Sequence, residues 1–305
     1  MPPSPPFPPP PPPPPPRPRR APRAGRAAAA LLSALLSGCT SPFTPGSVIT
    51  DLRVLALVTT PPEVGPGQTV TVQAVTAAPG DAPPATARWS ACPFSAGATA
   101  AYACVLPACE TPLTPAAGGA VTLDPVALAQ ACLSAAGGSL PGAPPGTGLP
   151  ATLEVIVRYV ATDGAGLTRE AIQRIPVTTQ GPPPQPNLPP VFQSIEVGGA
   201  PAATSGIAGT LPAGGSLPIA VAIDPASIQR YTDASGALAI EEIVVSFYTT
   251  AGRFTLDRGL APTASTSLQS QDLPAGATEA LLWVVASDLR GGEAAAGPFR
   301  IALGP

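Results

Sequence analysis

From residue 48 onwards, apolar and polar positions alternate in short runs. Val70, Val72 and Ala74 are interleaved with Thr69, Thr71 and Gln73, and Leu153, Val155, Val157 and Tyr159 with Glu154 and Arg158. The period recurs at Ile219, Val221 and Ile223, at Ile243, Val245 and Phe247, and at Leu282, Val284 and Ala286. Successive side chains of a strand point to opposite faces, so each run predicts a half-buried strand. Turns rich in Gly, Pro and Asp part the runs roughly every ten residues, the spacing of an antiparallel sandwich. One stretch breaks the pattern. Asp124 can cap a helix, Pro125 fits its first turn, VALAQACLSAA continues it and Gly137-Gly138 ends it.

The pattern occurs twice. PGQTVTVQAV (66–75) echoes AGGSLPIAVAI (213–223), each a Gly turn feeding an early strand, and TLEVIVRYVATDGAG echoes TEALLWVVASDLRGG late in each half. Each late strand runs into a turn, Asp163-Gly164 or Asp288-Leu289-Arg290-Gly291, and then a last strand. GPPPQPNLPP (181–190) separates the halves and reads as a semi-rigid spacer. The expected architecture is all-β: two tandem antiparallel β-sandwich domains at 48–180 and 191–305, the first with a short helical insertion. Trp89, in ARWSAC, falls where the third strand of an immunoglobulin-like domain carries a core tryptophan. With the paired late hairpins, the two halves resemble bacterial immunoglobulin-like or fibronectin-III-like surface modules.

The first 38 residues have a different grammar. Arg17, Arg19, Arg20, Arg23 and Arg26 precede ten apolar or small residues, Ala27 to Leu36. That run has the length of a signal-peptide apolar region and falls well short of the about 20 residues a membrane-spanning helix needs. Leu36-Ser37-Gly38-Cys39 follows, and this LSGC resembles the lipobox of bacterial lipoproteins residue for residue. The resemblance implies cleavage before Cys39, acylation of its thiol, and membrane attachment through lipid. Thr40 is not the Asp that retains some enteric lipoproteins at the inner membrane, so the resemblance points to the outer membrane. TSPFTPGS (40–47) then completes a lipidated tether at 39–47. Pro2 to Pro16 is nearly pure proline, unusual in such a leader. It reads either as a start site placed too early or as a long leader removed in processing.

All 15 basic residues are arginine, and histidine is absent. Without histidine there is no Ser-His-Asp or Cys-His nucleophile, no imidazole metal ligand and no imidazole base. Five arginines precede Cys39, leaving 10 against 18 carboxylates, a formal charge of −8 after cleavage. Nucleic acid is therefore not an expected partner. With Cys39 carrying lipid, Cys92, Cys104, Cys109 and Cys132 remain, an even number that outside the cytoplasm reads as two disulfides. Of the three connectivities, Cys92 to Cys104 and Cys109 to Cys132 close the short loops and are preferred. A four-thiolate zinc site would use paired C-x-x-C knuckles, which the spacing lacks.

Candidate chemistry is sparse. Asp163, Asp224, Asp233 and Asp288 fall in turns, where calcium could bind in cadherin-like modules, but no D-x-D cluster supplies six oxygens, and turn formation is the favoured role. Glu241 and Glu242 are adjacent and on a strand would face opposite ways, which disqualifies them as a glycosidase pair. Phe247, Tyr248 and Phe254 could form a sugar-stacking face, although alternation sends two of them to the core. The long connection 224–242, carrying Arg230, Tyr231 and Asp233, is the candidate binding loop. No G-x-S-x-G elbow or S-x-x-K occurs after Cys39. The expected function is a non-catalytic envelope lipoprotein without cofactor or metal, held by its lipid and meeting an envelope protein or a glycan. The alternatives are a histidine-free hydrolase or a carbohydrate-binding surface protein.

Overall fold

A computed structural model describes residues 45–138, 148–233 and 235–304. The lipobox, Cys39 and the tether as far as Thr44 lie outside these residues. The first half contains β1 (Arg53–Thr60), β2 (Val70–Ala77), β3 (Thr86–Cys92), β4 (Thr111–Leu113), β5 (Val121–Leu123), α1 (Pro125–Ala135), β6 (Thr152–Thr162) and β7 (Thr168–Thr178). Its two sheets run β1-β2-β5 and β4-β3-β6-β7, all antiparallel. The alternating residues meet between them: Val70 and Val72 from one sheet pack with Trp89, Val155, Val157 and Ile175 from the other. Trp89 on β3 is buried, pairs across the strands with Tyr159 and lies 4.5 Å from it between ring centroids. Burial raises the pKa of the Tyr159 phenol.

The second half contains β8 (Phe192–Val197), β9 (Ala200–Pro201), β10 (Ile207–Leu211), β11 (Ser216–Ile223), β12 (Arg230–Thr232), β13 (Leu238–Ile240), β14 (Val244–Thr249), β15 (Arg253–Phe254), β16 (Arg258–Leu260), β17 (Thr263–Gln269), β18 (Glu279–Ser287) and β19 (Glu293–Leu303). Its sheets run β10-β19-β18-β14-β16 and β15-β17-β11-β8-β9, with β12-β13 as a separate ribbon. The repeated sequences occupy equivalent places: β2 and β11 are the early strands, β6 and β18 the late ones. The all-β fold of two mainly antiparallel sandwiches, with one short helix in the first, is as expected. One pairing departs from an antiparallel scheme. After β9 the chain crosses between sheets and β10 lies parallel to β19, Ile207 opposite Arg300 and Leu211 opposite Leu303. A period of two specifies which face of a strand is buried, not the direction of its neighbour.

The two late turns use the same device. Asp163 Oδ1 accepts hydrogen bonds from the amides of Ala165 (2.9 Å) and Leu167 (2.8 Å). Asp288 Oδ1 accepts from those of Arg290 (2.7 Å) and Gly292 (2.9 Å). In each hairpin the carboxylate caps amides that the strand ladder leaves unpaired.

The sandwiches lie side by side. Within 45–305, a single compact unit, Ile49, Ala77, Leu281 and Trp283 form a buried cluster supported by Leu55, Val75 and Tyr248. Leu281 and Trp283 point away from their own sandwich core and would face solvent in an isolated domain, yet are 6% and 1% exposed. β18 is thus buried on both faces, which its unbroken ALLWVVA run matches. The proline segment 181–190 correspondingly does not hold the halves apart. The Asn187 amide donates to Glu63 Oε2 (3.0 Å), its side chain to Asp288 Oδ2 (2.8 Å), and the Leu188 amide to Gln229 Oε1 (2.9 Å). A spacer reading assumes that proline-rich backbone finds no partners, and here side chains of both sandwiches supply them.

The start of the first sandwich is also displaced from its expected position. The Ile49 amide donates to the Thr249 carbonyl (2.7 Å) and the Thr249 amide to the Ser47 carbonyl (2.9 Å), so Ser47 to Ile49 extends the second sandwich's sheet alongside β14. The first sandwich proper begins at β1.

The cysteines pair as Cys92–Cys104 and Cys109–Cys132, with Cα separations of 5.7 and 5.2 Å. Asp124 caps α1 through the Ala127 amide (2.9 Å), and Cys132 joins Phe94, Cys109 and Ala129 in a small core beneath the helix. Chain entropy puts the closure of such a 23-residue separation at about 3 kcal/mol. Replacing both Cys109 and Cys132 by Ser is expected to lower unfolding stability by about that amount, read by denaturant titration under oxidising conditions.

Candidate functional site

The connection after Asp224 is an ordered ribbon. Asp224 Oδ1 accepts from the Ala226 amide (2.9 Å), starting a short turn. β12 and β13 then pair Arg230 with Ile240, Tyr231 with Ala239 and Thr232 with Leu238. Asp233 closes the ribbon: its Oδ1 accepts from the Ser235 amide (2.8 Å), the Ser235 hydroxyl (2.6 Å) and the Ala237 amide (3.0 Å). Those bonds, the hydroxyl's first, hold its carboxyl below the usual pKa. The aspartate is therefore committed to the turn.

The ribbon is braced at its base. The Arg290 guanidinium lies 4.1 Å from the centroid of the Tyr231 ring and pairs with the buried carboxylate of Glu241, whose Oε2 accepts from the Gln229 amide (3.0 Å). Arg290 itself sits in the turn that Asp288 organises. A desolvated carboxylate facing a guanidinium stacked on an aromatic face is a rigid arrangement, because each partner restricts the others' rotamers. Of the three residues singled out from sequence, the structure brings Arg230, Tyr231 and Asp233 onto this one ribbon, and leaves only Arg230 exposed. Tyr231 is half-covered by Arg290.

Beside polar residues such as Arg230 and Thr232, the ribbon offers two large aliphatic side chains to solvent. Leu238 is 72% exposed and Ile240 63%, and Leu289, beside Arg290, is 68% exposed. Leu238 and Ile240, two residues apart, share one face of β13, and Leu289 lies in the turn that carries Arg290. Sequence reasoning passed over Leu238, Ile240 and Arg290. The signals were present in the Leu-Ala-Ile alternation after the Asp-Ala-Ser-Gly turn, although alternation alone reads as one more half-buried strand.

A second feature lies in the junction. Glu293, first residue of β19, is half-buried, and its Oε2 accepts from the Leu57 amide of the first sandwich (2.9 Å). Burial pushes its carboxyl up to about 7, the Leu57 bond opposes this, and the Asp288 charge adds to it. It borders a cavity of about 270 Å³ that Glu154, Gln173, Arg174 and Arg290 also line, with Gln173 donating to the Gly291 carbonyl (2.9 Å) across the junction.

The other candidates resolve into structural roles. Glu241 and Glu242 lie between β13 and β14 rather than on a strand, one buried and the other exposed. Phe247 is in the second core with Phe254 5.8 Å away, and Tyr248 packs in the junction. Among the described residues, no three His, Cys, Asp or Glu side chains come together to hold a metal, and no helix is long and apolar enough to cross a membrane.

No protein-family model matches the chain, and no curated protein sequence matches it. Among solved structures it is similar to the fibronectin(III)-like modules of CbhA from Clostridium thermocellum, with 11% identity, 83% of this chain and 94% of that chain covered, and a TM-score of 0.25. The D00-D0 domain of Intimin aligns at 10% identity, 83% and 98% coverage and a TM-score of 0.23. The Ig1-2 module of the Drosophila receptor protein tyrosine phosphatase DLAR aligns at 11% identity, 84% and 100% coverage and a TM-score of 0.26. Scores at this level carry no argument about function.

Proposed function

We propose that the protein is a non-catalytic envelope lipoprotein, anchored in the outer membrane through acylated Cys39, whose two joined sandwiches present the β12–β13 ribbon to another envelope protein. The observation that carries the binding role is the exposure of Leu238 and Ile240 on a ribbon held by the Arg290, Tyr231 and Glu241 brace, with exposed Leu289 in the turn that carries Arg290. Aliphatic side chains beside an exposed arginine suit a protein surface, where a buried apolar centre with a polar rim supplies affinity. A glycan would be met by open aromatic faces, and the Tyr231 face is occupied by Arg290. Two disulfides in the first sandwich accord with an oxidising compartment.

Two measurements test the reading. Replacing Cys39 by Ala should move the protein from the membrane fraction to the soluble one, and unchanged partitioning would refute the anchor. A photo-crosslinking residue at Leu238 should give a discrete protein adduct in intact cells that Leu238→Ser/Ile240→Ser variants lose from a probe at Ala237. Adducts equally frequent from a probe at Thr263, on the opposite sheet, would refute the binding surface.

A further inference from the structure

The β12–β13 ribbon leaves one strand edge open. The Glu241 amide donates to the Gln229 carbonyl (2.9 Å) and the Asp233 amide to the Ala237 carbonyl (2.9 Å), so Tyr231 and Ala239 form the hydrogen-bonded pair between them. The backbone groups of Arg230, Thr232, Leu238 and Ile240 therefore point outward, to the two sides of the ribbon. Their side chains share the exposed face, and Tyr231 and Ala239 share the other, where Arg290 covers the Tyr231 ring. The β12 side is covered at its base by the proline segment. The Arg230 carbonyl accepts from the Gln185 side chain, and the Gln229 side chain donates to the Pro186 carbonyl (3.2 Å) and accepts from the Leu188 amide (2.9 Å). The β13 side differs. Among the described residues, the outward N–H and C=O groups of Leu238 and Ile240 have no partner, because β12 and β13 form a sheet of two strands only. Charge or proline would blunt such an edge, and Leu238-Ala239-Ile240 carries neither.

The geometry points to a second copy of this chain as the occupant of that edge, its β13 running antiparallel to the first about a twofold axis at Ala239. The inference rests on the reading of the ribbon as a binding surface and specifies its partner. Outward backbone groups on Leu238 and Ile240 call for an extended strand, and the same segment of another copy satisfies them. Leu238 then pairs with the partner's Ile240 and Ile240 with the partner's Leu238, each pair exchanging both of its hydrogen bonds. The cross-strand Leu-Ile pairs gather into one patch side chains that are 72% and 63% exposed in the single chain. Charge is compatible as well. The register sets Ala237 against the partner's Glu241 and Gly236 against the partner's Glu242, so no carboxylate meets another across the axis. Arg230 and its counterpart lie on the outer strands, three strand spacings or about 14 Å apart. Twofold pairing consumes the open edge of each copy, so the assembly closes at two chains.

The experiment uses the full chain carrying Cys39→Ala, the other four cysteines being in disulfides. Sedimentation equilibrium follows its mass up to about 100 μM, a range suited to the weak association of a small interface. The mass should rise with concentration from one chain towards two and no further. Leu238→Ser/Ile240→Ser should return it to one chain. Ile240→Pro should do the same, since it deletes an outward N–H and no bond of the ribbon. In Ala239→Cys the new thiol lies at the axis, about 4.5 Å from its counterpart between Cα atoms, and should link two chains on air oxidation. Thr232→Cys, on the outer strand, should not. A chain that stays monomeric, a dimer unaffected by the serine and proline variants, or linkage as fast from Thr232→Cys as from Ala239→Cys overturns the inference. A monomeric chain that still gives a Leu238 adduct to a different protein in cells keeps the binding surface and removes the second copy as its occupant, so the two failures are distinguishable.

Discussion

Trp283→Ala is expected to destabilise the protein by about 3–5 kcal/mol, the range for removing a fully buried tryptophan side chain. The residue is 1% exposed, and its indole packs in the junction with Ile49, Ala77 and Leu281 rather than in the core of its own sandwich. Truncation leaves a cavity that backbone on either side cannot fill, because both surfaces are strands already committed to their own sheets. Denaturant titration reads the change as a lower midpoint. If the sandwiches were independent, Trp283 would lie on a solvent face and the same substitution would fall within about 0.5 kcal/mol of wild type. A small effect would therefore show that the side-by-side arrangement does not persist in solution.

Glu293→Gln is expected to make the protein more stable at about pH 8 and to remove one component of its pH dependence. In the folded chain the Glu293 carboxyl titrates at about 7, against an ordinary value of 4.5, because burial disfavours its charge. A raised carboxyl pKa means that the folded state holds the proton more tightly than the unfolded one. Its stabilising contribution is complete below pH 4.5 and is lost as pH rises through 7. Since the group is only half-buried, the full linkage value is discounted to about 2 kcal/mol. The charged groups near it are Asp288, which raises its pKa, and Glu154, Arg174 and Arg290 along the shared cavity. Gln keeps an acceptor for the Leu57 amide without the charge. The difference in unfolding free energy between variant and wild type should grow from about pH 5 to about pH 8. A constant difference would place the perturbed titration elsewhere.

Much of the architecture is legible in the alternation alone. Val70 and Val72, Val155 and Val157, and Val221 and Ile223 are where alternation places them, because one apolar face per strand is the least that a sandwich core requires. The helix from Pro125 to Ala135 is marked by Asp124 and by Gly137, since cap and terminator act within a few residues of chain. Asp163 and Asp288 are recognisable as turn residues for the same reason.

The candidate site is legible only in outline. Arg230, Tyr231 and Asp233 come from the right segment, but their roles depend on residues far away in sequence. Asp233 is consumed by its own turn. Tyr231 is covered by Arg290, far along the chain, and Glu241 becomes a buried partner only because that guanidinium reaches it. No local pattern encodes a contact between a ribbon and a distant hairpin turn.

The sequence by itself determined the local devices: strand faces, helix ends, aspartate turns and the twofold repetition, while the cysteine pairing it only preferred. Each is a free-energy preference settled within one element or between neighbours along the chain. Only the tertiary structure decided that the halves lie side by side, that Gly181 to Pro190 is fastened rather than extended, and that Ser47 to Ile49 joins the second sandwich's sheet. These outcomes depend on the outer faces of β18 and β1, whose apolar residues Leu281, Trp283 and Leu55 carry no address for their partner. Burial of apolar area is non-directional, so such residues announce that a surface will be covered, while shape and backbone pairing select what covers it.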